Sequence, residues 1–239
     1  NFVVAPEELV DAEHLLHAHH ARHVLVRRVL VRRKDEEMRA MLDPVSLLEL
    51  AEPVLEMLPE FLQHEGVLAV GELGYDAITE AEEKAYIAQV KMAIEHDLPI
   101  LVHTPHRDKA RGTQRSIDVL KDLGANPDTV VIDHSTEETT KMILDAGFWA
   151  GHTVYPNTKL TPERFVNLFF DFGTEKMLLN SSADWGEADP LNVPKTAALL
   201  EKRGAEREAI QKLVWDNPVQ FFGADRWNLP DSLAAEAAA

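Results

Sequence analysis

From Gly66 onward the chain alternates a short apolar run with a longer amphipathic stretch, and this period restricts its fold more than any other feature. The apolar runs fall at 67–73, 100–102, 130–132, 148–154 and 177–179. They are short, rich in branched side chains and free of polar alternation, as strands buried on both faces of a parallel sheet should be. The stretches between them carry helix starts. Thr79 and Glu82 have capping-box spacing, and Ile87, Val90 and Ile94 follow at helical intervals. Ser135 and Glu138 repeat the device ahead of Met142 and Leu144, and Thr161 followed by Pro162 sets an N-cap before a first-turn proline. Five strand–helix units at roughly thirty residues each predict an α/β fold built on a parallel sheet.

Length refines that expectation. A (β/α)8 barrel of the TIM type takes about 250 residues, and this chain has 239. Only 66 residues precede the first clear strand, whereas three complete units at the same spacing would need roughly ninety. The expected fold is therefore a (β/α)8 barrel that is incomplete or irregular at its amino terminus. Residues 1–43 are expected to form an atypical segment, in which Arg27 and Arg28 interrupt the one apolar run, VLVRRVLV. Residues 44–223 are expected to form the barrel body, opening on a helix at 44–64 that Asp43 would cap. Residues 224–239 read as an alanine-rich tail.

Composition narrows the function classes. With 45% hydrophobic residues the chain can bury a sizeable core. It contains no uncharged apolar run of the ~18 residues a membrane span requires, so no membrane partner is expected. The absence of cysteine excludes disulfides and thiolate metal sites, and it fits a reducing, cytoplasmic setting. Any bound metal must use His, Asp or Glu. The net charge of −17 repels a phosphate backbone at long range, which disfavours nucleic acid as a general partner. A small-molecule or phosphoester substrate held locally by cations is compatible with it.

The chemistry-bearing residues stand at the ends of the apolar runs. Glu72 lies in GELGYD, His103 is the next-to-last residue of PILVHT, His134 ends TVVIDH, and Asp184 ends KMLLNSSAD. In a parallel barrel, four separate strands would bring these side chains to the carboxyl-terminal rim, where barrel enzymes place their active sites. A lone His after a strand is commonly a hydrogen-bonded structural residue, and a lone Asp is commonly a helix cap. The conjunction of Glu, His, His and Asp on successive strand ends points instead to a metal centre. A carboxylate within an apolar strand is costly unless it is paired or metal-bound, which singles out Glu72. Neutral imidazoles and carboxylates suit one or two divalent ions such as zinc, manganese or magnesium. In such a site Glu72 would bridge, His103 and His134 would hold one ion, and Asp184 would ligate the other while taking a proton from water.

The series GELGYD, PILVHTPHRDK, VVIDH and NSSADW, with DNPVQFFG near the end, resembles the TatD-related branch of the amidohydrolase superfamily over residues 55–223. The resemblance implies a (β/α)8 barrel and a metal-dependent hydrolase acting on ester bonds, deoxyribonuclease activity included. It implies Glu72, His103, His134 and Asp184 as metal ligands, with Asp184 also the catalytic acid–base.

This chain departs from the family at two places. The family opens with an HxH pair on its first strand, whereas here the HxH formed by His17 and His19 follows no apolar run and sits in a histidine-rich polar stretch. After the last strand the family reads ETD, whereas this chain reads NSSAD, placing Asn180 and Ser182 where a charged rim is usual. His106 and Arg107, in the loop after His103, are candidates for binding an anionic substrate group. His152 and Tyr155 would either line the same pocket or pack beneath it. The leading expectation is a hydrolase using metal-activated water on a phosphoester or other small ester or amide. The alternatives are a catalytically impaired barrel serving as a binding or scaffold component, and a truncated family member.

Overall fold

The computed structural model describes residues 44–64, 66–181 and 188–223. Helix α1 spans Pro44–Leu62. It is followed by β1 (Val70–Gly74), α2 (Glu80–Glu95), β2 (Ile100–His103), α3 (Lys109–Asp122) and a 3-10 turn at Pro127–Thr129. Then come β3 (Val130–Ile132), α4 (Thr140–Asp145), β4 (Trp149–Thr153), α5 (Pro162–Phe172) and β5 (Met177–Asn180). Helices α6 (Asn192–Lys202), α7 (Arg207–Gln211) and α8 (Asn217–Phe222) close the described chain, with a π-helical turn at Lys212–Asp216 joining the last two.

All five strands pair in parallel and in sequence order, β1 to β5. Consecutive parallel neighbours joined by helices form the arc of a (β/α) barrel, and among the described residues that arc is not closed. Each expected strand is present to within a few residues at its ends. The segmental expectations for 1–43 and 224–239, and Asp43 with them, lie outside the described residues. No described helix is long and apolar enough to cross a membrane.

Apolar burial explains the layers. Val70, Leu73, Val90, Ile100, Val102, Ile117, Leu120, Val130 and Ile132 belong to one core between the first strands and their helices. Val154, Phe165, Val166, Leu168, Met177, Leu200 and Leu213 form a second beneath the later helices. At roughly 1.5–3 kcal/mol for each large side chain removed from water, these clusters are the main force holding the helices to the sheet. A polar clamp adds direction. The buried Tyr75 hydroxyl donates to Glu83 at 3.1 Å, and Arg115 Nε donates to the same carboxylate at 2.6 Å, tying α2 to α3.

The helix starts sort by local chemistry. Thr79 caps α2 in a full capping box with Glu82, and Thr161 accepts from the Arg164 amide ahead of Pro162. The Ser135–Glu138 expectation is corrected. Helix α4 begins later, behind Thr139, and the Ser135 hydroxyl turns back to donate to the Ile132 carbonyl at 2.9 Å. Thr139 Oγ1 instead accepts from the Thr136 amide at 3.0 Å. With the Ser135 amide donating to the Gly151 carbonyl at 2.9 Å, residue 135 is fixed to the sheet and cannot open a helix.

Candidate metal centre

Strand pairing delivers the first candidate ligand through an irregularity. Gly71 pairs with Leu101 and Leu73 with Val102, so Glu72 is an inserted residue between two ladder pairs. A bulge of this kind re-aims a side chain. Here it directs Glu72 to the rim, where 28% of the side chain stays exposed, so the carboxylate occupies an open mouth and is less enclosed than expected of a group within an apolar strand. His103 is the last residue of β2, and His134 follows β3 by two. One ligand atom from each of Glu72, His103 and His134 lies within 4.8 Å of the others. His134 Nε2 is 2.6 Å and His103 Nδ1 is 3.5 Å from the same oxygen, Glu72 Oε1. The two imidazoles meet edge to face, 4.9 Å between centroids.

The far nitrogen of each ring is engaged. His103 Nε2 donates to Asp76 Oδ1 at 3.1 Å. His134 Nδ1 lies 2.7 Å from Thr153 Oγ1, whose hydroxyl in turn donates to Asp133 Oδ1 at 3.3 Å. Since that hydroxyl gives its proton to Asp133, it accepts the Nδ1 proton of His134. A neutral ring so fixed turns its unprotonated Nε2 toward Glu72, and His103 likewise presents Nδ1. Locking the tautomer through outer partners is how metal-binding histidines are oriented. A carboxylate oxygen and an imidazole lone pair facing each other at 2.6 Å are both acceptors, and only a proton or a cation reconciles them.

The electrostatics follow. Burial alone would raise the Glu72 pKa, but hydrogen bonds and charge from His103 and His134 outweigh it and hold the carboxyl well below its usual range. For His103, burial works against protonation, yet the carboxylates of Asp76 and Glu72 prevail and its pKa rises. For His134, burial prevails over Asp133 and Glu72 and the pKa falls.

Asp133, which the sequence reading passed over, organises the floor of the site. Its Oδ1 accepts from the His134 amide at 2.7 Å, and Asn180 Nδ2 donates to both of its oxygens at 3.1 Å. Asn180, noted in the sequence as a replacement for a charged rim, thus supplies donors to a carboxylate that another acid would repel. The amide contact also helps hold His134 at φ +57°, a left-handed conformation that is uncommon outside glycine and concentrates at functional sites. Position in TVVIDH was the available signal, since an acid one residue before a metal-type His is well placed to support it.

Two lysines were also missed. Lys109, at the start of α3, donates to Thr104 Oγ1 at 2.9 Å and to the His134 carbonyl at 3.1 Å, and burial with Lys159 nearby lowers its pKa to about 8. Lys159 lies in the loop after β4; burial lowers its pKa while Asp133, Glu72 and Asp76 oppose the fall.

The remaining candidates separate clearly. His106 and Arg107 are exposed on the loop after β2. His106 feels the site, because partial burial and then Lys159 and Lys109 push its pKa down to about 4. His152 is fully buried, its nitrogens 3.0 Å from Thr140 Oγ1 and 3.3 Å from the Leu178 carbonyl, with Phe165 against its ring. It is a packing residue, and Tyr155 is buried beside the same loop. Asp184, His17 and His19 lie outside the described residues.

Known proteins resemble this chain in sequence and in fold. The family model described as TatD related DNase matches residues 17–223. An uncharacterized metal-dependent hydrolase of Methanocaldococcus jannaschii is 31% identical over 171 residues, covering 72% of this chain and 67% of that protein. The crystal structure of a TatD-like protein from Archaeoglobus fulgidus aligns with TM-score 0.58 at 28% identity, covering 72% of this chain and 65% of that one. A phosphotriesterase homology protein from Escherichia coli, solved with phosphate in its active site, shares the fold with TM-score 0.57 at 19% identity, covering 78% of this chain and 69% of that one. The chain thus spans about two thirds of the length of these relatives. From the family match across most of its length, the chain belongs to the TatD-related family of metal-dependent hydrolases.

Proposed function

We propose that Glu72, His103 and His134, with Asp184 as a further ligand, hold one or two divalent ions (zinc, manganese or magnesium) for the hydrolysis of a phosphoester. The observation that carries this reading is the convergence of His134 Nε2 and His103 Nδ1 on Glu72 Oε1, each ring held from behind by Thr153 or Asp76. Two imidazole nitrogens and a carboxylate fit a divalent ion of intermediate softness. When bound, such an ion supplies a Lewis acid and lowers the pKa of water into the neutral range.

The chain's own residues have separate roles. Glu72 gives negative charge at the mouth, the histidines fix the donor directions, and Asp184 accepts the proton of the attacking water. His106 and Arg107, on the exposed loop beside His103, meet the anionic part of the substrate. The family's description as DNases supports a phosphoester. A net charge of −17 favours a short or small substrate over an extended nucleic-acid surface.

Elemental analysis of protein purified with zinc or manganese, paired with hydrolysis of bis(p-nitrophenyl) phosphate, tests this reading. At least one ion per chain is expected, lost in Glu72→Gln together with turnover. Asp184→Asn should keep an ion at the histidine side and lose about 10²- to 10⁴-fold in rate. No bound metal under any condition would overturn the proposal.

A further inference from the structure

The ammonium of Lys159 is buried and, among the described residues, makes no hydrogen bond. That is an unusual condition for a lysine, whose three donors normally reach water or an acceptor. An isolated buried charge carries a large desolvation cost unless it is compensated. The chain immediately before it is well fixed: the Lys159 amide donates to the Tyr155 carbonyl at 2.8 Å, and Leu160 forms a parallel bridge with Val154. The side chain is therefore carried into the site by an ordered loop.

The carboxylates that offset its charge at a distance are Asp133, Glu72 and Asp76. Glu72 is a ligand in the proposed centre, and a divalent cation there would cancel its negative charge. Metal loading would then leave Lys159 less compensated than before. A second ammonium, Lys109, stands close enough for Lys159 to lower its pKa, and it is anchored by Thr104 and by the carbonyl of the candidate ligand His134. Two ammonium groups that share Asp133 as a neighbouring carboxylate, one of them buried with all its donors unspent, form a receptor for an anion adjoining the candidate metal ligands. His106 and Arg107 lie out on the exposed rim, whereas the lysines sit deeper.

We propose that Lys159, with Lys109 beside it, is the specificity-determining anion subsite of this enzyme, receiving the non-bridging oxygens of the substrate's phosphate while the ester bond lies over Glu72, His103 and His134. The assignment rests on the hydrolase reading for its neighbouring chemistry, but the subsite can be tested without turnover. The chemistry recognised is a phosphate group, whether on a small phosphoester or within a short nucleic-acid strand.

The test is calorimetric titration of the full-length protein with inorganic phosphate, as purified and after treatment with a chelator, together with metal content. Wild-type protein should bind phosphate in both states. Lys159→Met and Lys109→Met should each weaken binding by about tenfold or more, the scale of a lost charge-assisted hydrogen bond, while retaining wild-type metal content. Lys159→Arg should restore part of the affinity. Titration with a short single-stranded oligonucleotide and with a phosphomonoester separates the two sources of phosphate by which one the lysine variants affect more. Phosphate affinity within twofold of wild type in both methionine variants would overturn the subsite. No bound metal in any preparation, with the lysine variants still losing phosphate binding, would sink the metal reading and leave the subsite standing. Lys109→Met lies on a different element from Lys159, so the subsite stays testable if Lys159→Met does not fold.

Discussion

Asp133 Oδ1 occupies the space that a β-carbon on residue 151 would need: the two would be 2.6 Å apart, with Val131 Cγ2 at 2.9 Å from the same point. Gly151 is therefore the residue that lets the Asp133 carboxylate lie flat against β4, under His134. Gly151→Ala should displace Asp133 and release its contacts with Thr153, Asn180 and the His134 amide. Overpacking of this kind costs about 1–3 kcal/mol. Denaturant unfolding should show that loss together with weaker metal binding, and a variant with both properties unchanged would refute the account.

Thr153 connects His134 to Asp133, 2.7 Å from the ring nitrogen on one side. Thr153→Val keeps the shape and removes the hydroxyl, so the Nδ1 proton loses its acceptor and the ring its preferred tautomer. Loss of an outer partner of this type typically lowers metal affinity by about 10- to 100-fold. Competition with a chromophoric chelator measures it directly. Thr153→Ser, which keeps the hydroxyl, should stay near wild type, separating the hydrogen bond from packing.

The division between what could and could not be read from sequence has a physical basis. Strands 130–132 and 177–179 were visible because continuous branched runs have few other uses. Glu72, His103 and His134 were visible because strand ends in a parallel sheet share one rim. The bulge at Glu72 was not, since an inserted ladder residue leaves no mark on hydrophobic period. Lys159 and Asp133 were missed because their roles depend on burial and on partners distant in the chain. Ser135 misled for the converse reason: a capping pattern is local, and the sheet contact to Gly151 overrode it.

Metal removal should be visible in stability. A ligand present at 1,000 times its dissociation constant stabilises the folded state by about 4 kcal/mol. For a chain of this size that corresponds to roughly ten degrees in melting temperature. Chelator treatment should lower the wild-type transition by that order, and Glu72→Gln should start lower and respond little. Equal responses to chelator in the two proteins would place the stabilising ion elsewhere.

His152 gives a prediction on pH. It has no exposed surface, and burial lowers its pKa from 6.5 to about 4, against the weaker pull of Asp133 and of the Leu178 carbonyl. Above about pH 6.5 the ring is neutral in folded and unfolded chains, and it adds no pH dependence. Between about 6.5 and 4 the unfolded chain takes up a proton that the folded chain refuses, so stability falls as the pH is lowered through that window. By pH 4.5 the loss from this one group should be about 2–3 kcal/mol. His152→Gln removes the titration while leaving a polar group for Thr140. The difference in unfolding free energy between pH 7 and pH 4.5, measured in urea, should therefore shrink by about that amount in the variant. Parallel pH profiles for the two proteins would mean that the folded state admits a proton at His152 and that its burial is less strict than the structure describes.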